Sequence, residues 1–200
     1  MKLKTLLFTV FLISTFSFSQ EKDDLFNMIE QEEKKIELLP EKMIFTQSLL
    51  WGKKGLFRKT GISPLNLENR QKELKIRKTM LTTHQAIGYL TLASMIAQGI
   101  IGGKLYNGDE SLRSTHNTMG KVVNIGYFTG AGLSLFSPPP LINKKVKGFN
   151  SIKAHKILAT VHFSAMIATN YYKDKNKSNH KAAAYTAFAS YATAVLVIKF

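Results

Sequence analysis

The sequence predicts an all-α protein: a four-helix, up-down transmembrane bundle in residues 80–200, preceded by a basic N-terminal region that is partly helical and partly irregular. Residues 80–200 contain four apolar stretches of nearly equal length, joined by short connections. The formal net charge of +15 is unevenly spread, because charged residues gather in residues 20–80 and in two later loops. Apolar segments of about 20 residues between charged connections are typical of membrane-spanning helices.

Residues 1–19 have the pattern of a secretory signal peptide. Lys2 and Lys4 make a basic start, residues 6–16 make an apolar core too short to span a bilayer comfortably, and Ser19 stands at a small-residue cleavage position. An uncleaved membrane anchor is the alternative interpretation. In both cases the next segment of the chain is expected outside the cytosol.

Residues 20–79 form the predicted N-terminal region. In residues 20–45, acids and lysines surround a thin apolar stripe, which predicts a surface-lying amphipathic helix ended by Pro40. Residues 46–78 mix aromatic side chains such as Trp51 with lysines and arginines, which favours a membrane-interface segment just before the first span. Nucleic-acid binding uses similar residues, but an exported chain does not meet nucleic acid, so no such partner is expected.

The four apolar stretches are the candidate spans, at residues 80–102, 116–136, 152–172 and 180–198. Their many Thr, Ser, Gly and Ala residues would also suit the core helices of a soluble bundle. Their equal lengths favour the membrane, and small residues permit the close helix packing that membrane proteins use. Short connections force neighbouring helices to run antiparallel.

Four histidines stand near the starts of these spans, and each has a small residue four positions later. The segments are His84 with Gly88, His116 with Gly120, His155 with Ala159, and His180 with Ala184. Residues four apart lie on one face of a helix. Each span therefore offers an imidazole beside a gap, which is what a flat cofactor between helices requires.

Antiparallel order sorts these histidines into two pairs. His84 and His155 are expected at one membrane face, and His116 and His180 at the opposite face, each pair facing across the bundle. Two histidines in this arrangement have the geometry of bis-imidazole haem ligation, in which the haem transfers electrons and does not readily bind oxygen. Histidines that simply sit at the membrane interface are the alternative.

Three lysines and a fifth histidine lie close to these pairs. Lys121, Lys156 and Lys181 stand at the same helix ends, where lysines either pair with haem propionates or extend to lipid headgroups. His162 is seven residues after His155 and shares nearly the same face. It is either a buried, hydrogen-bonded histidine or a replacement for His155 as ligand.

The four-histidine, four-helix pattern of residues 80–200 resembles the cytochrome b561 superfamily. The resemblance implies two b-type haems, one held by His84 and His155 and one by His116 and His180, and electron transfer across a membrane. The chain departs from the family in having four spans where eukaryotic members have six. It also has no clear counterpart of their ascorbate-binding segments, so the resemblance implies neither ascorbate oxidation nor ferric reduction.

Other chemistry is limited by composition. The chain has no cysteine, which excludes disulfides, thiolate metal sites, iron–sulfur clusters and covalently attached haem. It has no Ser-His-Asp order, HExxH or P-loop pattern. An enzymatic activity, if there is one, would be that of a transmembrane oxidoreductase. The competing classes are a non-haem membrane scaffold or accessory subunit and a histidine-based metal transporter.

The expected location is the inner membrane, as a multi-pass protein in contact with lipid and with a quinol or a soluble redox partner. The predicted signal peptide places residues 20–79 and the loop at residues 137–151 in the periplasm. Lysines in that loop conflict with this orientation, because basic loops usually stay in the cytoplasm, whereas the basic loop at residues 173–177 agrees with it. We give the export signal precedence, because export of the first segment fixes the orientation of every later helix.

Overall fold

The computed structural model describes residues 37–141 and 148–198, and these are helical throughout apart from turns and connections. The predicted all-α class is confirmed. The predicted signal peptide and most of the predicted amphipathic helix lie outside the described residues. The helices are α1 (Phe45–Trp51), α2 (Leu56–Lys59), α3 (Leu67–Tyr106), α4 (Arg113–Leu135), α5 (Ser151–Tyr172) and α6 (Lys177–Val197), with a 3₁₀ turn at Glu110–Leu112.

Asparagines begin three of the four long helices. The side chains of Asn66, Asn150 and Asn176 accept hydrogen bonds from backbone N–H groups at the starts of α3, α5 and α6, at 2.9, 3.1 and 2.9 Å. An asparagine in this position satisfies one of the donors that a helix start leaves unpaired. After α3 the chain reverses through Gly108, whose φ of 107° is a conformation that other residues rarely adopt.

Helix α3 is longer than the span predicted from the sequence. It begins at Leu67 and continues without a break through residues 79 and 80, where the basic region was expected to give way to the bundle. No glycine or proline interrupts residues 67–87, so the helix that starts at the Asn66 cap continues into the apolar stretch. His84 consequently lies well inside its helix, whereas His116 and His180 lie in the first turns of theirs.

The four long helices form two antiparallel hairpins, α3 with α4 and α5 with α6, and the hairpins pack together along α3 and α6. Helices α4 and α5 are linked by side chains: the Asn170 amide donates to Asn124 at 2.7 Å, and Tyr127 and His162 are hydrogen-bonded at 2.5 Å. The helices therefore succeed one another around the bundle, with α3 diagonal to α5 and α4 diagonal to α6.

The interior of this bundle is narrow and partly polar. Its buried apolar cluster consists of Met95, Val123, Tyr127, Ala165, Met166 and Ala187. Thr91 and Ser190 are buried in the same interior. Many large apolar side chains of the four long helices instead face outward.

By length and composition, α3 is the one helix within the described residues that is apolar enough to cross a membrane. A single helix of this kind does not establish a membrane protein, since a core helix of a soluble protein passes the same test. Four transmembrane spans therefore remain a prediction.

Helices α1 and α2 form an elbow, residues 45–59, which docks on the C-terminal end of α4. The Trp51 indole N–H donates to the carbonyl of Phe136 at 3.0 Å, and the Thr46 hydroxyl donates to that of Leu135 at 2.5 Å. The Trp51 ring packs against Phe57, with their centroids 4.5 Å apart. The basic segment predicted to lie at a membrane interface is thus fixed to one end of the bundle.

A buried ion network fastens the elbow to α3. The Glu73 carboxylate accepts hydrogen bonds from Arg58, from Arg70 and from the Ser63 hydroxyl. Burial by itself would raise the pKa of the Glu73 carboxyl, but these hydrogen bonds outweigh burial and hold that pKa below its ordinary value. The carboxylate therefore stays ionised, as a buried ion pair requires.

The same region of α3 reaches the proline turn that comes after α4. Arg70 donates to the Pro139 carbonyl at 3.1 Å, and Arg77 donates to the Pro138 carbonyl at 2.6 Å. Prolines cannot donate backbone hydrogen bonds, but their carbonyls remain acceptors. The turn that ends α4 is thereby tied to the first turns of α3.

Candidate functional site

Three of the four predicted ligand histidines are anchored in the same way. Nδ1 of His84 lies 2.8 Å from the Gly130 carbonyl, Nδ1 of His155 lies 3.0 Å from the Ala194 carbonyl, and Nδ1 of His180 lies 2.9 Å from the Thr169 carbonyl. In each case the carbonyl belongs to the other helix of the same hairpin.

These contacts fix which ring nitrogen carries the proton. A carbonyl oxygen only accepts hydrogen bonds, so Nδ1 of a neutral imidazole must donate, and Nε2 then presents its lone pair. Histidines that bind metals usually show this arrangement, in which the other ring N–H is held by a carbonyl or a carboxylate. Three imidazoles are thus prepared to act as Nε2 ligands.

The anchors have a regular spacing along every long helix. Each long helix carries one of the four histidines. Fourteen residues later, the same helix carries the residue that contacts the histidine of the other helix in its hairpin. The pairs are His84 and Gln98 on α3, His116 and Gly130 on α4, His155 and Thr169 on α5, and His180 and Ala194 on α6. Fourteen residues of helix rise by about 21 Å at 1.5 Å per residue and return nearly to the same face.

The spacing defines two layers in the bundle. The first layer contains His84 and His155, and the second layer contains His116 and His180. The two layers are separated by nearly four helical turns.

In the second layer the two imidazole rings lie close together. The ring centroids of His116 and His180 lie 6.2 Å apart, and the ring planes are nearly perpendicular, at 83°. Two metal–nitrogen bonds of about 2.0 Å in line would hold the centroids of two imidazoles roughly 6 Å apart. The observed centroid separation is thus similar to that of two imidazoles bound to one metal ion.

His116 differs from the other three because a glutamine replaces the backbone anchor. The Gln98 amide nitrogen donates to the His116 carbonyl at 3.1 Å and lies 3.3 Å from its Nε2. Nδ1 of His116 and Oε1 of Gln98 are buried without a hydrogen-bond partner in the described part of the chain. Buried polar atoms without partners are rare in folded proteins.

A glycine makes room for the His116 ring. A Cβ at Gly102 would lie 2.8 Å from Cε1 of His116 and 3.1 Å from its Nδ1, so a larger residue would displace the imidazole. At Gly130, facing His84, a Cβ would lie 3.7 Å from Nδ1, which is an ordinary contact. Close packing against glycine therefore positions His116 only.

A cluster of aromatic side chains fills the space between the two layers. The Tyr127 hydroxyl and Nδ1 of His162 are 2.5 Å apart, and the Tyr191 ring lies 5.0 Å from the His162 ring. Tyr191 also donates to the Gly88 carbonyl at 3.2 Å. His162 is therefore a partly buried, hydrogen-bonded histidine.

The other residues predicted at the site have varied surroundings. Gly88 faces the Tyr191 hydroxyl, and Gly120 faces the amide of Gln98. Lys121 and Lys156 are exposed. Lys181 lies over the Tyr106 ring, 3.8 Å from its centroid. Of the three predicted site lysines, Lys181 is thus the one that is partly buried, and it contacts Tyr106.

The positions of the histidines in the sequence do not reveal the groups that hydrogen-bond to the imidazoles. Gly130, Thr169 and Ala194 contribute backbone carbonyls, which leave no residue-type signal. Gln98 is a visible exception, as a strongly polar residue in an apolar span. The fourteen-residue spacing can be counted in the sequence, but only the fold shows that the residue at that distance contacts a histidine of the neighbouring helix.

The described residues contain no group of three or more His, Asp or Glu side chains placed to hold a metal ion. A bare metal site in a protein usually requires three or four such ligands. Each layer supplies two, which is the number of axial ligands that a haem iron takes from a protein.

The chain matches no protein-family model, no curated protein and no solved structure. The resemblance to the cytochrome b561 superfamily therefore rests on the pattern of the four histidines and is neither supported nor contradicted by relatives.

Proposed function

We propose that this chain is a membrane-embedded b-type di-haem electron carrier that moves electrons across or within the bilayer. The observation that carries the proposal is the second layer, where the ring centroids of His116 and His180 lie 6.2 Å apart. The anchoring of His84, His155 and His180 through Nδ1 supports it further, because this leaves Nε2 of each ring available as a ligand.

The outward-facing surface of the bundle supports a membrane location and four transmembrane helices. Exposed large apolar side chains occur on all four long helices, among them Leu90, Ile100, Ile125, Ile157, Ile167 and Leu196. The interior, by contrast, holds the imidazoles, two hydrogen-bonded asparagines and Thr91. Polar groups inside and apolar groups outside suit a helical bundle in lipid, where extended apolar surface needs no covering protein.

The residues present fit a haem in each layer. His84 and His155 would hold one haem, and His116 and His180 the other. A haem held there would supply reversible one-electron chemistry. The unpaired buried atoms of His116 and Gln98 fit a layer whose polar contacts are completed by a ligand.

The protein's own contribution is to hold the imidazoles. Each backbone carbonyl keeps its imidazole in the Nδ1–H tautomer and limits rotation of the ring. Gly88 and Gly120 make room for the Tyr191 hydroxyl and the Gln98 amide, and Lys121, Lys156 and Lys181 remain candidates for pairing with haem propionates. His162 is assigned a supporting role through Tyr127 and not axial ligation.

We place the protein in the inner membrane, with residues 20–79 on the periplasmic side. A quinol or a soluble redox protein is the expected partner, and oxidoreductase activity is the expected class if the chain has a substrate of its own. A reporter enzyme fused after Phe200 tests the orientation, because the proposed arrangement places both ends of the four-span domain on the periplasmic side. Reporter activity found only in the cytoplasm would reverse it.

Absorption spectroscopy of the purified full-length chain tests the proposal. Protein from haem-replete cells should be red, with a reduced-minus-oxidised band typical of b-type haem and two haems per chain. His84→Ala and His180→Ala should each remove about half of the haem, and the double variant should be colourless.

His162→Ala is the matched control, since it removes a partly buried imidazole from the same bundle outside both layers. It should retain both haems. A colourless unmodified protein would reject the di-haem proposal and favour the scaffold or accessory-subunit class. Loss of haem from His162→Ala but not from His155→Ala would show that His162 is the ligand.

A further inference from the structure

The elbow carries an apolar surface that the described residues do not cover. Phe45 is 79% exposed and Leu49 is 54% exposed, and the two are four residues apart on one face of α1. Ile62, just after α2, is 71% exposed. Adjacent apolar side chains with this degree of exposure are typical of a surface that meets a partner or a membrane.

This surface forms one side of a shallow groove of about 250 Å³. Its lining consists of Phe45, Ser48, Leu49, Gly52, Lys53 and Lys54. An aromatic ring and a leucine side chain thus lie beside two ammonium groups, and the lining contains no acidic residue. This combination matches an amphiphile that has an anionic head and an apolar tail.

The groove is held in a fixed position on the bundle. Trp51, which precedes Gly52 at the edge of the groove, bonds to the Phe136 carbonyl and packs against Phe57. The Arg58–Glu73 ion pair fastens the end of α2 to α3. The backbone that carries the groove side chains is therefore already ordered before a ligand binds. This order reduces the entropic cost of binding.

We propose that the elbow groove binds an anionic phospholipid of the surrounding bilayer, with the phosphate at Lys53 and Lys54 and an acyl chain along Phe45 and Leu49. Lysines near an anionic membrane surface are attracted to its phosphate groups. The site holds residues 45–59 against the membrane surface at the end of the bundle nearest His84 and His155. This inference rests on the proposed membrane location but requires no haem. Its failure would appear as a loss of lipid binding, and failure of the di-haem proposal as an absence of haem absorption.

Fluorescence of Trp51 tests the site, because Trp51 is the only tryptophan in the chain. The full-length protein in detergent is titrated with phosphatidylglycerol that carries brominated acyl chains, which quench a neighbouring indole. We expect saturable quenching by this lipid and at least tenfold weaker quenching by brominated phosphatidylcholine. Replacing both groove lysines (Lys53→Gln with Lys54→Gln) should weaken the phosphatidylglycerol response by about tenfold or more.

The double variant Lys75→Gln with Lys78→Gln is the matched control, since it removes the same charge from exposed positions of α3 that lie outside the groove lining. It should alter the response by less than threefold. Leu49→Asn should weaken lipid binding while haem content stays unchanged.

Three results would overturn the lipid site. Equal losses in the two lysine pairs would indicate general attraction of anions by a basic protein. Equal quenching by both lipids would remove the role of the phosphate charge. Competition by inorganic phosphate at the same concentration as the lipid would indicate a free-phosphate site.

Discussion

The two histidine layers are built from the same parts, but they are not equally well prepared for a ligand. In the first layer, both His84 and His155 are anchored by backbone carbonyls of the neighbouring helix. In the second layer, His180 is anchored in this way, whereas His116 contacts the side chain of Gln98, and its Nδ1 has no hydrogen-bond partner among residues 37–141 and 148–198. A backbone anchor is fixed by the helix, but a glutamine side chain has rotamers of its own. We therefore expect the first layer to hold its haem more tightly.

The surroundings of the two layers differ as well. The first layer lies at the end of the bundle that carries the elbow and the Arg58–Glu73–Arg70 network. On α3, Arg77 of this end precedes His84 by two helical turns. On α4, Leu135, which bonds to the elbow, comes little more than one turn after Gly130. The second layer lies near the short turn between α3 and α4, where the ion pair of Arg113 with Glu110 is exposed. The first layer is thus close to a buried ion network, whereas the second layer is close to an exposed turn.

The largest effect is expected from Glu73→Gln, which removes the carboxylate that Arg58 and Arg70 share. Breaking a buried ion pair by removing one partner usually costs about 3–5 kcal/mol, because it leaves the other charges buried without compensation. We expect a large fall in the thermal unfolding temperature, with haem lost from the first layer before the second. Glu68→Gln, in an exposed pair with Lys72, should leave the unfolding temperature essentially unchanged.

Acid should reproduce part of this effect in the unmodified protein. Because the pKa of Glu73 is lower in the folded state than its ordinary value of 4.5, its contribution to stability is fully present above that pH. The contribution is lost as the pH falls below 4.5 through the folded-state pKa. The difference in unfolding free energy between the unmodified protein and Glu73→Gln should therefore shrink below pH 4.5, and a constant difference there would contradict this role.

An intermediate effect is expected from a matched pair of glycine substitutions. Gly102→Ala places a methyl group 2.8 Å from the His116 ring and must displace it, whereas Gly130→Ala meets His84 only at an ordinary 3.7 Å. Both changes favour helix to the same extent. Haem titration should show about tenfold weaker binding in the second layer of Gly102→Ala, equivalent to about 1.4 kcal/mol, and less than twofold change in the first layer of Gly130→Ala. Equal effects would show that the layers do not differ in their packing.

The smallest effect is expected from Tyr127→Phe, which removes the hydrogen bond to His162 between the layers. A single buried hydrogen bond contributes about 1 kcal/mol to stability. Chemical denaturation should show a loss of this size, with the haem content of both layers unchanged. Selective loss of one haem would show that the aromatic cluster supports that layer directly. Phe128→Leu, at a neighbouring ring without a hydrogen bond, provides the control.

The helical class and the positions of the histidines could be predicted because both depend on local pattern. Apolar runs of similar length give helices, and short connections order them antiparallel, so the diagonal relation of His116 and His180 could be inferred from the chain order alone. The sequence predicted a helical stretch through the basic residues 70–78 and an apolar span from residue 80. That both belong to one helix beginning at the Asn66 cap was not predicted, since hydropathy does not mark a cap.

By itself, the sequence determined that the chain is helical and that its imidazoles would fall into two sets, because helix periodicity and loop length act over a few neighbouring residues. Only the tertiary structure decided which carbonyl holds each imidazole, that Gln98 takes the place of one such anchor, and that Glu73 joins the elbow to α3. These contacts join residues as far as 46 positions apart, as His84 and Gly130 are, and they depend on how helices pack and not on the type of residue that supplies a backbone oxygen.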